Sequence, residues 1–359
     1  MKRWAAALLA ALCLLSLTGC GTRPSLTVVQ AIGLDYNGGS YTLTVQMYDP
    51  QSEQPMYETA TARTLPQAFA DCAQPYGDAL FFGCCELIVL GMQAADTVLQ
   101  ELVDYLYNAG AVRLDALMAV AQGSAGDLLT EGEEQGEPVV MAVATVEALR
   151  AAEEQGGTVL GTLLDTTVAL RGVQGTLALP LLSASMDGAL DCRRAAVLGR
   201  DGVLLSLSEG ETQALAWLCG DVTQAVVSLD DSANPDRTAE LRRVGLKIVP
   251  TLHQDKLYFH IDLSVEGSPT VSAGADRLAA LEQAFADKLH TDVEYLLYKL
   301  LVRDGRDPLR LAELVRQQFP AYFAARADDP TALLAGCTLY LAVDVSLDGA
   351  AGTGRGMLR

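Results

Sequence analysis

The stretch over residues 276–302 constrains the fold most. Leu281, Phe285, Leu289, Val293, Leu297 and Leu300 recur every three or four residues, so on a 3.6-residue helix they form one continuous apolar stripe. A helix of this kind must lay its stripe on another layer. The flanking segments supply one. Leu257, Phe259, Ile261, Leu263 and Val265 alternate with other residues before it, and Leu339, Leu341, Val343, Val345 and Leu347 do the same after it, with the two-residue period of strands. Strand, long helix, strand predicts an α+β unit in which helix packs against sheet.

Other elements fill in around that unit. Residues 241–251 and 257–265 read as strands paired around His253-Gln254-Asp255. Upstream, residues 194–198 and 203–207 flank a turn at Arg200-Asp201-Gly202. Ser208 and Glu211 then stand three apart, the spacing of a capping box, before a helix that carries Leu215 and Leu218 and stops by Gly220. Trp217 beside them reads as a packing anchor, and residues 222–229 as extended. Asp307-Pro308 is expected to start a helix bearing Leu309, Leu311, Leu314, Val315 and Phe319, with Pro320 at its end.

The first half repeats the alternation of strand and helix. Residues 26–34 read as a strand, Asn37-Gly38-Gly39 as a tight turn, and Tyr41, Leu43, Val45 and Met47 as the apolar face of a half-buried strand. Thr64 can cap a helix with Pro66 in its first turn, carrying Leu65, Phe69 and Cys72. Residues 80–90 hold a short buried strand, 96–107 a helix, 114–120 a strand, 139–171 mostly helix broken at Gly156-Gly157, and 176–182 an extended segment around Pro180. The acidic run 131–137 reads as a solvated loop. Composition shifts little near residue 190, and a soft boundary is placed around Asp187-Gly188.

The N-terminus addresses the chain. Met1-Lys2-Arg3 is basic and residues 4–15 are almost wholly apolar, after which Leu17-Thr18-Gly19-Cys20 brings small residues ahead of a cysteine. A helix over residues 4–17 reaches only about 20 Å, short of the roughly 30 Å hydrocarbon core, so the segment reads as an export signal. Leu-Thr-Gly-Cys also looks like a lipobox, in which the Cys20 thiol takes a diacylglycerol and becomes the first residue of the mature chain. The expected division is a signal peptide over 1–19, an N-terminal α+β domain or pair of subdomains over 20–188, a C-terminal α+β domain over 189–348, and a disordered tail over 349–359.

The 359-residue chain carries a net charge of −20; Lys2 and Arg3 are the only charges in the first twenty residues, so the rest carries −22. Such acidity repels phosphate backbones and makes nucleic acid an unsuitable partner. Beyond Cys13 and Cys20, the remaining cysteines (Cys72, Cys84, Cys85, Cys192, Cys219 and Cys337) match no paired metal-ligand spacing, and several lie in apolar strings where cysteine acts as a small hydrophobe. No metal or cofactor is expected. His253, His260 and His290 share no ligand spacing and read as surface or structural residues; no nucleophile elbow, H-E-x-x-H or P-loop appears. Gly352-Thr353-Gly354-Arg355-Gly356 resembles a phosphate loop in composition alone, with no helix after it. Asp35, at a strand end, reads as turn chemistry. The chain reads as no enzyme.

The stretch from Ala195 through Gly199-Arg200-Asp201-Gly202 and Ser208-Glu209-Gly210-Glu211-Thr212 to Leu215, Trp217, Leu218 and Gly220 resembles the strand, turn, strand and helix start of the Ger(x)C spore germination lipoproteins. Weaker matches surround it in family order: Ala31-Ile32-Gly33-Leu34-Asp35 with residues 41–46, Phe81-Phe82 leading into residues 87–91, and Asp307-Pro308. The resemblance implies a mixed multi-domain α+β lipoprotein. It would be a subunit of a nutrient germinant receptor, held by its lipid at the outer face of the cell or spore inner membrane beside integral membrane A and B subunits, with no catalytic residues. The other reading of the sequence is an exported solute-binding lipoprotein.

Overall fold

The computed structural model describes residues 26–348 apart from 50–53, 77–79, 131–132, 135–136, 139–140, 185–189, 230–234 and 328. Cys20, the export signal, the tail over 349–359 and most of the acidic run 131–137 lie outside the described residues.

Strands β1 (Thr27–Asn37), β2 (Ser40–Asp49) and β3 (Gln54–Ala62) form an antiparallel meander on which α1 (Leu65–Ala73) packs. Gly38 and Gly39, at φ 57° and 84°, close the β1–β2 turn, where a side chain would be strained. β4 (Leu80–Phe81) and β5 (Leu87–Gly91) pair parallel with β1. Helices α2 (Met92–Thr97) and α3 (Leu99–Ala109) lead to β6 (Leu117–Ala121). There follow α4 (Ala125–Thr130), the two-residue strands β7 (Glu133–Glu134) and β8 (Glu137–Pro138), α5 (Met141–Glu154), α6 (Leu163–Arg171) and β9 (Leu177–Ala184). With β10 (Leu190–Gly199) and β11 (Gly202–Leu207) these complete a nine-stranded sheet ordered β11-β10-β9-β6-β5-β1-β2-β3, β4 lying beside β1.

Every residue of β5 and β6 is buried, because helices cover both faces of the parallel strands. Leu65, Phe69, Leu102 and Leu163 from α1, α3 and α6 close one core, and Leu129, Val146 and Leu149 from α4 and α5 close the other. The same double cover corrects the reading of β2 as half-buried. Tyr41, Leu43, Val45 and Met47 are buried as their alternation predicts, yet Thr44 and Gln46 opposite are 3% and 0% exposed. Gln46 is satisfied there: its Oε1 accepts from Ala142 N at 2.6 Å and its Nε2 donates to Tyr57 Oη at 3.2 Å.

The second layer pair begins with α7 (Glu209–Cys219), β12 (Ala225–Ser228), β13 (Thr238–His253) and β14 (Lys256–Pro269). Gln254 and Asp255, both at positive φ, make the β13–β14 turn. Helix α8 (Ala275–Leu297) runs on as a π-helical stretch through Arg303; α9 (Leu311–Gln318), α10 (Pro320–Ala324), α11 (Pro330–Ala335) and β15 (Thr338–Leu347) follow. The sheet order is β12-β13-β14-β15, the last pair parallel. The stripe of α8 is buried with Phe259, Ile261 and Leu263 in one cluster, each large side chain contributing roughly 1.5–3 kcal/mol. The architecture is α+β, as expected.

β9 and β10, on either side of Asp187-Gly188, are antiparallel neighbours, so residues 190–207 extend the first sheet. Several local readings change. Thr64 stands at the N-cap of α1, but its side chain makes no capping bond. The expected helix at 96–107 breaks at Val98. Asp307-Pro308 does not start a helix: Arg310 holds a left-handed φ of 61°, α9 starts at Leu311, and Pro320 opens α10 rather than ending α9. Among the described residues no helix is long and apolar enough to cross a membrane.

Candidate functional site: the seam between the two sheets

The motif over 195–220 lies where the two sheets meet. Val159, Ala195, Val197 and Leu207 belong to the same buried cluster as Trp217, Phe259 and Phe285, so one apolar core runs through the seam. Trp217 is 1% exposed, and its Nε1 has no hydrogen-bond partner among the described residues. Its carbonyl accepts from Arg243 at 3.2 Å. The end of α5 joins the same junction, the Glu154 carbonyl accepting from Thr223 N and Gln224 N at 2.9 Å each.

The capping box forms as the spacing predicts. Ser208 N donates to Glu211 Oε2 at 2.9 Å and Glu211 N to Ser208 Oγ at 3.4 Å. Glu211 does more than cap. Its other oxygen accepts from Lys299 Nζ at 2.5 Å, the two side chains being 14% and 12% exposed. Burial pushes the Glu211 carboxyl up, but the Lys299 ammonium and the Ser208 amide outweigh it and hold it below its ordinary value.

Arg200, in the β10–β11 turn, donates from Nε to the Leu170 carbonyl at 2.7 Å and also to the Gly172 carbonyl, tying off the C-terminal end of α6. Gly175 makes room: it holds φ 65°, and a Cβ there would fall 2.6 Å from Arg200 Cζ. One residue beyond Gly172, Val173 N donates to Glu313 Oε1 on α9 at 2.8 Å, while Arg316 Nε donates to Glu313 Oε2 at 2.7 Å. Burial pushes the Glu313 carboxyl up, and Arg316 with the Val173 amide brings it below its ordinary value. Asp307, 1% exposed, accepts from Leu311 N and Ala312 N at 2.8 Å each and caps α9. Burial pushes its pKa up to about 7. The crevice among Gly172, Val173, Gly175, Asp307 and Glu313 has about 10 Å³ of space, room for about one water. What this arrangement can do is fix two sheets rigidly against each other; its charges are met by one another and by backbone groups.

The residues singled out from sequence are dispersed. Cys20 lies outside the described residues. Cys72, Cys85 and Cys192 are buried, Cys337 is half-buried, and Cys84 and Cys219 are exposed residues; all six are free thiols. Among the described residues no group of His, Cys, Asp or Glu could hold a metal ion. His260 stacks on Tyr340 with ring centroids 5.1 Å apart, and His290 Nδ1 is 3.9 Å from Glu294, while His253 lies at the end of β13. Asp35 is not turn chemistry. It accepts from Ser124 Oγ, Ala125 N and Gly126 N at 2.9–3.0 Å, capping a helix some ninety residues away. Lys299 and Glu313 carry no sequence signal, and Arg200 and Glu211 are legible only as turn and cap.

Two family models match in order: the spore germination protein N-terminal domain over residues 25–184, and the spore germination B3/GerAC-like C-terminal domain over 193–332. Spore germination protein B3 of Bacillus subtilis (strain 168) is 25% identical over 86% of this chain and 88% of its own length. Spore germination protein YndF of the same organism is 22% identical over 67% of this chain and 59% of its own. The crystal structure of the GerBC protein shares the fold at a TM-score of 0.54, with 19% identity, covering 88% of this chain and 96% of that one. With both domain models matching in order over most of its length, the chain belongs to the Ger(x)C family of spore germination proteins, the family of germinant receptor subunits.

Proposed function

We propose that this chain is the lipid-anchored, non-enzymatic subunit of a nutrient germinant receptor. A diacylglycerol on Cys20 holds it at the outer face of the cell or spore inner membrane, beside integral membrane A and B subunits. There it assembles the receptor and passes on the nutrient signal. The observation that carries this reading is the family match across both halves of the chain. The stretch Leu17-Thr18-Gly19-Cys20, which looks like a lipobox, supports the anchor, and among the described residues no helix is long and apolar enough to cross a membrane. The packed seam, its ions paired, suits a rigid adaptor whose value lies in the surfaces it holds in register.

The test is Cys20→Ala in sporulating cells. The variant should fold, leave the spore membrane fraction and slow nutrient-triggered germination. Unchanged germination with the protein shown to be delipidated would contradict the proposal.

A further inference from the structure

One end of the nine-stranded sheet carries an apolar rim. Strands β1, β5, β6 and β9 run parallel, so their starts share that end. Leu26 precedes β1 and is 54% exposed. Val28 pairs with Phe81 of β4, so these two side chains share a face of the sheet, with Leu26 just ahead of the strand. Phe81 is 43% exposed.

The neighbouring strands bring the exposed, mutually paired Glu86, Arg113 and Asp115 to this end and, beyond them, further apolar side chains. Gln30 O accepts from Glu86 N, and Glu86 O from Leu117 N, so the approaches to β5 and β6 lie next in line. Leu114, in the turn before β6, is exposed, and its carbonyl accepts from Leu164 N at 2.9 Å. Leu164 and Val168, exposed and four apart, share one face of α6. The described part of this unit, residues 26–207, has seven exposed large apolar side chains, and five of them are at this end. A sixth, Tyr107, lies beneath the Arg171 guanidinium. Scattered exposed apolar residues need no explanation, but a cluster from four segments does.

We infer that this rim, carried by Leu26, Phe81, Leu114, Leu164 and Val168, is the surface the protein lays on the bilayer. The inference rests on lipidation at Cys20. Six peptide units separate Cys20 from Leu26, and they span at most about 20 Å when extended. A lipid held in the membrane therefore keeps this end of the sheet close to the headgroups, while the Gly38-Gly39 tip of β1 stands roughly 35 Å further along the strand. The mature chain carries −22, so contact depends on apolar side chains entering the headgroup boundary and not on attraction to anionic lipid. A bilayer fits the rim better than a second soluble chain does, because the tether brings the bilayer to it without a partner's affinity.

The test places a fluorophore on the native thiol of Cys84, an exposed residue three beyond Phe81, in the lipidated full chain carrying Cys219→Ser and Cys337→Ser. A control chain carries Asn37→Cys and Cys84→Ser in the same background. Both are reconstituted in phosphatidylcholine vesicles containing a lipid with a shallow nitroxide, and recovered by flotation. The Cys84 probe should lose most of its emission and the Asn37→Cys probe almost none. A chain that floats with both probes equally bright overturns the surface and leaves the anchor standing. That result would point to a protein partner for the rim. A chain that fails to float overturns the anchor and the surface together.

Discussion

The Lys299 ammonium lies 2.5 Å from the Glu211 carboxylate, so the residue that caps α7 also ties that helix to the end of α8. A pair this far out of water is costly to break on one side, because the survivor keeps its desolvation without its partner. Glu211→Ala should cost about 3 kcal/mol for the orphaned lysine and about 1 kcal/mol for the lost cap. Lys299→Met, which removes the charge and keeps the stem, should cost less than Glu211→Ala. Urea midpoints of the two variants check the order. The folded carboxyl titrates below its unfolded value, so its stabilising effect is full above about pH 4.3 and falls away as pH drops through the folded value.

Asp307 should push the other way. Its folded pKa, about 7, lies above the unfolded value, so the folded state holds a proton that the unfolded state gives up. Its contribution is full below about pH 4 and is lost as pH rises through about 7. Asp307→Asn keeps an acceptor for Leu311 N and Ala312 N and removes the titration. Thermal melts at a series of pH values should show the wild-type chain losing stability relative to Asp307→Asn between about pH 4 and 7; parallel curves would contradict this.

Gly175 and Gly110 separate backbone strain from crowding. Both hold positive φ, at 65° and 60°, but a Cβ on Gly110 meets nothing within 4 Å while one on Gly175 meets Arg200 Cζ at 2.6 Å. Gly110→Ala should cost about 1 kcal/mol, the strain alone. Gly175→Ala should cost roughly 2–3 kcal/mol, because Arg200 must release the carbonyls of Leu170 and Gly172. Equal denaturation midpoints would show that Arg200 moves aside freely.

Asp35→Ala removes the acceptor for Ser124 Oγ, Ala125 N and Gly126 N, and should cost about 1–2 kcal/mol. Gly91→Ala should do comparable damage from the other side, since its Cβ would fall 2.1 Å from Asp35 Oδ1. Amide exchange at Ala125 and Gly126 should quicken in both variants; unchanged protection would mean that α4 does not depend on this cap.

The stripe of α8 and the capping box of α7 were legible because each is written within a few residues at a fixed spacing. Alternation in β14 and β2 was equally plain, yet for β2 it misled: Gln46 looks like a solvent-facing residue until α5 is known to cover it. What could not be read is whatever depends on distant partners. Asp35 caps a helix that begins about ninety residues later, and Glu211 finds Lys299 88 residues on. Nor does Asp187-Gly188 reveal whether the next strand stays in the sheet, because pairing depends on neighbours that no local pattern names.

The account rests on the lipidation proposed at Cys20, and intact mass analysis of the chain extracted from spore membranes tests it most directly. It predicts a mature protein that starts at Cys20 and is heavier than its sequence by a diacylglyceryl group. A chain recovered with a different N-terminus and a free Cys20 thiol would contradict it.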